Sequence, residues 1–352
     1  MKYLGIDWAY RRAPGARWRR VARSSARAWY PADEDGLAKL VLAVGLEARA
    51  CVEMMSGAVW VRDRLQEVGW WVEVADARKV KGLASLACKT DKVDARVLAE
   101  LCRRDLAPAV WLPSLEERAL RERLKRRMQL VRMRTMARNR IHGLLTQWGL
   151  KLPPRRLRQP DGLQLLETLG VPEVWRRSIA EALTVIDWLD SRITPLDREL
   201  LPLARVDRRV ELLRAIPGIG SLLGLTVVAE IGDIARFGSA RKLVGYAGLA
   251  PTVKQSGQSS RTGPLSKAGS KTLRWAAVEA AQQAWRPTNP WHQLYLDTTR
   301  RHGKKNAAKA AVARKILIAA WHVLARDEPF KPCRRHGGSD PVPASSHFHL
   351  AA

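Results

Sequence analysis

YLGIDW, residues 3–8, is a short apolar run that closes on an acid and a tryptophan. Its aromatic and branched residues favour an extended chain. An aspartate in so apolar a strand, in a chain with only 34 Asp and Glu against 62 Lys and Arg, is the least ordinary acid of the sequence. Two more strand-like runs follow near 17–22 and 26–30. Pro14, Gly15 and a short Ser pair separate the three runs, which suits an antiparallel meander.

Moving outward, residues 34–46 carry Leu37, Leu40, Val41 and Val44 at helical spacing. ARACVE, 48–53, reads as a compact strand ending in Glu53, and 57–68 as a helix. GWWVEVA, 69–75, alternates as a strand does, and after a Lys-rich connection TDKVDARVLAELCRR, 90–104, reads as a helix. Three strands, helix, strand, helix, strand, helix is the order of a ribonuclease-H-like α/β fold.

That order singles out four acids. Asp7 and Glu53 stand at or near strand ends, where α/β sheets bind ligands. Asp91 and Asp94, three apart on a helix, share one face. Acids in a first helical turn also stabilise its dipole, which is the plain structural reading of that pair. If all four converge, their mutual repulsion calls for cations. Magnesium takes carboxylate oxygens together with substrate phosphate, and two such ions can clamp the attacking and leaving oxygens of a phosphodiester.

Composition agrees with such a substrate. The formal net charge of +28 on 352 residues favours a polyanionic partner, and the basic residues run along most of the chain, which favours nucleic acid over a membrane surface. Cys51, Cys88, Cys102 and Cys333 form no CxxC pair, so neither a zinc knuckle nor a disulfide framework is expected. The N-terminus meets charge too early for a signal peptide, and no apolar run reaches the ~18 residues of a membrane span. A soluble, cytoplasmic protein is expected.

Beyond the first domain, 114–148 is a long helical pattern with a broad apolar face and a basic one running from Arg118 through Arg140. It reads as a basic, coiled-coil-like arm. Residues 151–160, KLPPRRLRQP, look like a linker, and a second helical stretch, 172–204, has an expected break at Ile193–Pro195. From about 210 come a hydrophobic helix, the turn IPGIG at 216–220, and another helix. The two glycines of that turn would let backbone N–H groups approach a phosphate; a plain turn between packed helices is an equal reading. The Gly-, Ser- and base-rich segment 236–276 leads into the helices 270–285 and 306–325, and the tail 331–352 is expected to be disordered. The expected domains are 1–108, 109–205 and 206–330, with that tail.

GIDWA, CVEMMSG and CKTDKVDARVLAEL together resemble the DEDD signature of the bacterial insertion-sequence transposases of family one-ten, most specifically through the spacing in Lys89–Ala95. MMSG after Glu53 departs from the family's usual small residue and threonine without touching the acids. VGYAGLAPTVKQSGQSSRTGPLSKAGSKTLR, 244–274, is similar to the C-terminal transposase domain of the same family. The resemblance implies a RuvC-like, Mg2+-binding catalytic domain of Asp7, Glu53, Asp91 and Asp94. It implies a largely helical C-terminal domain with a nucleophilic serine, matched best by Ser256, with Ser259 and Ser260 as competitors. Residue types alone would favour a basic loop that binds phosphate without chemistry. The resemblance further implies DNA cleavage and rejoining, a structured guide (bridge) RNA, an active centre assembled between domains or subunits, and a homodimer to homotetramer. The nucleic-acid contacts expected are Lys89, Arg126, Arg127, Arg134, Arg138, Lys254, Arg261, Lys267, Lys271 and Arg274. The alternatives are a RuvC-like structure-specific endonuclease that only cuts, or an inactive nucleic-acid-binding derivative.

Overall fold

The computed structural model describes residues 1–8, 19–23, 27–83, 91–256 and 259–332; at 19–23, 27, 29, 81–83, 91–94, 253–256 and 259–262 it describes the backbone alone. The chain divides into two units, Met1–Pro113 and Ser114–Ala352.

The first unit runs β1 (Lys2–Asp7), β2 (Arg19–Arg23), β3 (Arg27–Tyr30), α1 (Glu34–Val44), β4 (Ala48–Glu53), α2 (Ala58–Glu67), β5 (Trp71–Ala75), α3 (Ala77–Leu83) and α4 (Asp91–Arg103). The five strands lie in the order β3-β2-β1-β4-β5. The first three form the expected antiparallel meander, and β4 and β5 extend it in parallel from β1. Side chains alternate across a strand, so register decides which face each row meets. Leu4, Ile6, Ala50, Val52, Val72 and Val74 point to the face covered by Leu37, Leu40, Val44, Val61 and Leu65 of α1 and α2. Burying each larger side chain of that set contributes roughly 1.5–3 kcal/mol. The opposite face carries Gly5 and Cys51 and meets Leu98 and Cys102 of α4. Helix α3 occupies the stretch expected to be a bare connection. Asp76 starts it by accepting hydrogen bonds from the N–H groups of Arg78 and Lys79, and Val80 anchors it by burial.

The second unit opens with α5 (Leu115–Thr146), then α6 (Pro154–Leu157), α7 (Gly162–Thr168), α8 (Glu173–Val206), α9 (Arg208–Leu213), α10 (Ser221–Ile231) and α11 (Ala240–Tyr246). A hairpin of β6 (Pro251–Ser256) and β7 (Ser259–Leu265) follows, then α12 (Lys271–Ala280), α13 (His292–His302) and α14 (Lys305–Arg326). A reciprocal cap starts α5: the Ser114 hydroxyl accepts from the Glu117 N–H (3.1 Å), and the Glu117 carboxylate accepts from the Ser114 N–H (2.8 Å). Helix α8 lies antiparallel along α5, because Arg123 pairs with Glu199, Arg127 with Asp197 and Arg134 with Asp190. One end of this pair joins the main core through Leu124, Leu200 and Ala204. The other forms a separate core of Ile141, Leu144, Leu145, Ile179, Leu183 and Ile186.

Two expectations for this unit are corrected. Residues 151–160 are no free linker: α6 lies within them, and Leu157 is fully packed into the core around Ile141. Helix α8 does not break at Ile193–Pro195 but runs through Pro195 and Pro202. An interior proline costs about 3 kcal/mol; here Ile193, Leu196, Leu200 and Ala204 are all buried on one face, and that burial outweighs the lost backbone bonds. The Gly-, Ser- and base-rich stretch 236–276 holds α11 and the β6–β7 hairpin.

Candidate active site and nucleic-acid contacts

Asp7 is the last residue of β1 and Glu53 the last of β4. The parallel register pairs Ile6 with Val52, and one step further sets Asp7 beside Glu53 at the same end of the sheet. Neighbouring strands are about 4.8 Å apart, so these are adjacent acids on one face. Asp7 is 8 % exposed, which makes it one of four buried polar residues among those described; Glu53 is half-buried.

The same face carries α4, which runs back along β1. The Cys102 thiol meets the backbone of Leu4, Tyr3 lies near the charge of Arg103, and Gly5 lies against Ala95, Leu98 and Ala99. The first turn of α4, with Asp91 and Asp94 in its sequence, is therefore at the Asp7 end. The side chains of Asp91 and Asp94, and all of Lys89, lie outside the described residues. Among the described residues no cluster of three His, Cys, Asp or Glu is placed to hold a metal ion.

Two glycines that sequence reasoning passed over set this arrangement. A Cβ on Gly5 would lie 1.9 Å from the Ala95 carbonyl oxygen and 2.5 Å from the Ala99 nitrogen, so only glycine lets the helix come this close to the strand. Gly57, in the left-handed region at φ 89°, caps α2 where a Cβ would lie 2.7 Å from Nε1 of Trp8. Trp8 follows Asp7 and packs edge-on to Trp60, with ring centroids 5.3 Å apart. The segments that follow the two acid-bearing strands are thus locked to each other. Gly5 stands two residues before Asp7 and Gly57 four after Glu53, but only the packing gives these positions meaning.

Among the described residues, Cys51 and Cys102 are free, fully buried thiols on the α4 face. Burial pushes Cys51 up to about 12, helped by the nearby Cys102, and pushes Cys102 up to about 11 against the opposing pull of Arg49. Cys88 and Cys333 lie outside the described residues.

In the second unit Ser256 closes β6 opposite Ser259, Gln255 pairs with Ser260, and Lys254 with Arg261, all at the level of the backbone. The segment after the hairpin is tightly built. The N–H groups of Ser266, Lys267 and Ser270 donate to the carbonyls of Ala250, Gly248 and Tyr246. Lys267 is left-handed (φ 51°), and a Cβ on Gly269 would lie 2.1 Å from the Tyr246 oxygen. Lys267 and Lys271 are exposed, but the Arg274 guanidinium is occupied: it donates to the carbonyls of Ala247 (3.0 Å) and Lys267 (3.1 Å).

Glu230 escaped the sequence reading, because nothing in the apolar run SLLGLTVVAEI marks its partner. It is 5 % exposed and accepts a 2.7 Å bond from the Ser270 hydroxyl, which also caps α12. Its carbonyl accepts from Arg121 and Arg236. In the turn at 216–220 Gly218 is packed: at φ 94° a Cβ there would lie 2.1 Å from the Ala280 carbonyl oxygen, while Gly220 faces open space.

Of the four α5 arginines expected to contact nucleic acid, Arg127 and Arg134 are turned to α8 and held by Asp197 and Asp190, whereas Arg126 is exposed and Arg138 half-buried. The reason is the helical period: basic residues on the α8 side of α5 meet its acids, and those on the other side do not. The basic residues Arg300, Arg301, His302, Lys304 and Lys305 are divided between two helices, since α13 ends at His302 and a left-handed Gly303 (φ 64°) separates it from α14. Among the described residues no helix is long and apolar enough to cross a membrane.

A family model described as transposase, IS116/IS110/IS902 family, matches residues 210–297, and a DEDD transposase model of the IS110 group matches residues 4–149. Together they take in about two thirds of the chain, in the expected order. The chain belongs to the IS110/IS116/IS902 family of transposases. The transposase is 28 % identical over 286 residues to a probable family 20 transposase of Pseudomonas aeruginosa, covering 79 % of this chain and 83 % of the relative. It is 29 % identical over 249 residues to the transposase for insertion sequence element IS1111A of Coxiella burnetii, covering 69 % and 68 %. A pilin gene-inverting protein of Moraxella bovis is 34 % identical over 149 residues, 41 % of this chain and 46 % of that protein. The chain is therefore an enzyme that acts on DNA as a transposase. Its N-terminal domain is of the DEDD type, which goes with divalent-metal use in general.

Proposed function

We propose that the transposase excises and inserts a mobile DNA element, with Asp7, Glu53, Asp91 and Asp94 as the acids of a Mg2+ site and Ser256 as nucleophile. The observation that carries this is the side-by-side stand of Asp7 and Glu53 at one sheet end, with the first turn of α4 at the same end. The strand order β3-β2-β1-β4-β5, antiparallel then parallel, supports a ribonuclease-H-like, RuvC-like reading of the first unit. Carboxylate oxygens are the hard donors that Mg2+ takes, and the ion there would polarise the phosphate oxygens and offset their charge.

In the proposed step the Ser256 hydroxyl attacks a strand phosphorus. An Oγ–P bond forms, one P–O ester bond breaks, the departing strand end keeps the oxygen as a hydroxyl by taking up a proton, and the serine gives up its own. A hydroxyl of a second strand then attacks the serine phosphodiester and restores the serine. Each step exchanges one phosphoester for another, so no external energy source is needed. Lys267 and Lys271 would supply charge near the phosphate. Sequence choice would come from a structured guide RNA pairing with donor and target DNA, with α5 among its contacts. Two to four subunits would carry out the exchange. The name of the pilin gene-inverting relative describes inversion, which requires rejoining and so favours recombination over cutting alone.

The test uses the full chain, element-end DNA, RNA transcribed from the element's non-coding end, and Mg2+. Wild type is expected to yield recombinant strands and a trappable covalent protein–DNA adduct. Asp7→Asn should abolish both while DNA affinity and thermal unfolding stay nearly unchanged, and Ser256→Ala should lose the adduct. Undiminished cleavage by Ser256→Ala would leave a nuclease that only cuts; an adduct lost instead in Ser259→Ala or Ser260→Ala would move the nucleophile. Absence of any Mg2+-supported strand transfer would leave a binding protein.

A further inference from the structure

A cavity of about 320 Å³ opens beside α5, lined by Arg138, His142, Pro153, Pro154, Arg155 and Arg158. Four of the six are basic types and none is acidic. We propose that this notch seats a backbone phosphate of nucleic acid, an inference that rests on the reading of α5 as a nucleic-acid contact and gives it a place.

The acids nearby are already spent. Asp190 binds both Arg134 (2.6 Å) and Arg158 (3.0 Å), and Asp187 binds Arg158 again (2.6 Å). Arg138, one turn beyond Arg134, is half-buried, and among the described residues it makes no ion pair; nor does Arg155. A guanidinium withdrawn from water without an anion is costly, and its planar fork matches two phosphate oxygens.

The wall is also rigid. Pro153 caps α6 and Pro154 opens it, with φ fixed by their rings, and Leu157 ties the helix to the core around Ile141 and Leu145. Arg158 is held in place by its two aspartates. A site built before binding loses little order when its ligand arrives. The volume exceeds that of a lone phosphate and leaves room for the attached sugar against the proline rings. A protein carboxylate would match the charge but not this extra volume, and a transposase already works on phosphodiester chains.

The experiment measures affinity and salt dependence for labelled single-stranded RNA and for duplex DNA of equal length, using full-length Arg138→Gln/Arg155→Gln. Each lost phosphate contact removes close to one from the slope of log affinity against log salt, so the double variant should lose about two, with about tenfold or more in affinity near physiological salt. Arg177→Gln/Arg208→Gln removes the same charge from surface pairs elsewhere and should change little. A loss confined to RNA names the guide as source, a loss confined to DNA names the element or target, and a loss with both names the shared backbone. The single exposed Arg155→Gln, which disturbs no described ion pair, should lose about one in slope and keeps the test open if the double variant misfolds. No change beyond the control in either arm overturns the seat. Because Asp7→Asn tests strand transfer independently, the seat can fail while the transposase mechanism stands, and the reverse.

Discussion

The proposed chemistry rests on single residues, and the ones that matter most are set by their neighbours. Asp7 and Glu53 are ordinary acids until the parallel register puts them side by side. Gly5 bears no functional atom, yet it fixes how near α4 comes to them. Cys51 lies between these features, fully buried in the row of Gly5, and burial raises its thiol to about 12. A free cysteine titrates near 8.5, so the folded protein holds this proton where the unfolded chain has released it. The stabilising contribution is thus whole below about pH 8.5 and is lost as pH climbs towards the folded value. Between pH 8 and 10, denaturant midpoints should report a decline of which up to roughly 2 kcal/mol vanishes in Cys51→Ala. Equal pH slopes in the two proteins would mean that the thiol is not shielded. In the same samples Cys51 should resist alkylation at pH 8 until the protein unfolds.

At the scale of elements, the contest is between local preference and packing. Propensity predicts a break at Pro195, but a continuous buried face keeps α8 helical through it. Residues 151–160 have the composition of a linker, but Leu157 finds an apolar pocket and draws α6 onto the unit. The contact of β1 with α4 obeys the same rule in reverse, since no side chain is tolerated where backbone meets backbone. Gly5→Ala is expected to cost roughly 2–3 kcal/mol by overpacking and, by displacing the first turn of α4, to reduce strand transfer more than DNA binding. Gly143→Ala is the counter-case. Gly143 lies within α5 with nothing near its missing Cβ, so alanine there should stabilise by up to about 1 kcal/mol. Urea unfolding of both variants checks the pair; equal and small shifts would deny the close approach of α4.

For the whole molecule the governing quantity is the net charge of +28. A protein that makes six to ten phosphate contacts loses about 10³–10⁵ in affinity between 50 and 200 mM salt, and this transposase should fall in that range for DNA. Less than a tenfold loss over that interval would show that the charge is not spent on phosphates. The sequence by itself determined the class of the protein. The acid-ended strands, the Asp-x-x-Asp spacing and the charge all report on local periodicity and composition, which survive without coordinates. It also determined the order of elements in the first unit except for α3, because alternating and helical hydrophobic periods differ enough to read. Only the tertiary structure decided which basic residues face water and which face α8, because a helix period distributes charge around an axis but does not say where its partner lies. It alone decided that Arg274 holds a loop, that Glu230 is tied to Ser270 across 40 residues, and that Gly5 and Gly57 are obligatory. Those depend on contacts between residues distant in the chain, where sequence pattern carries no distance.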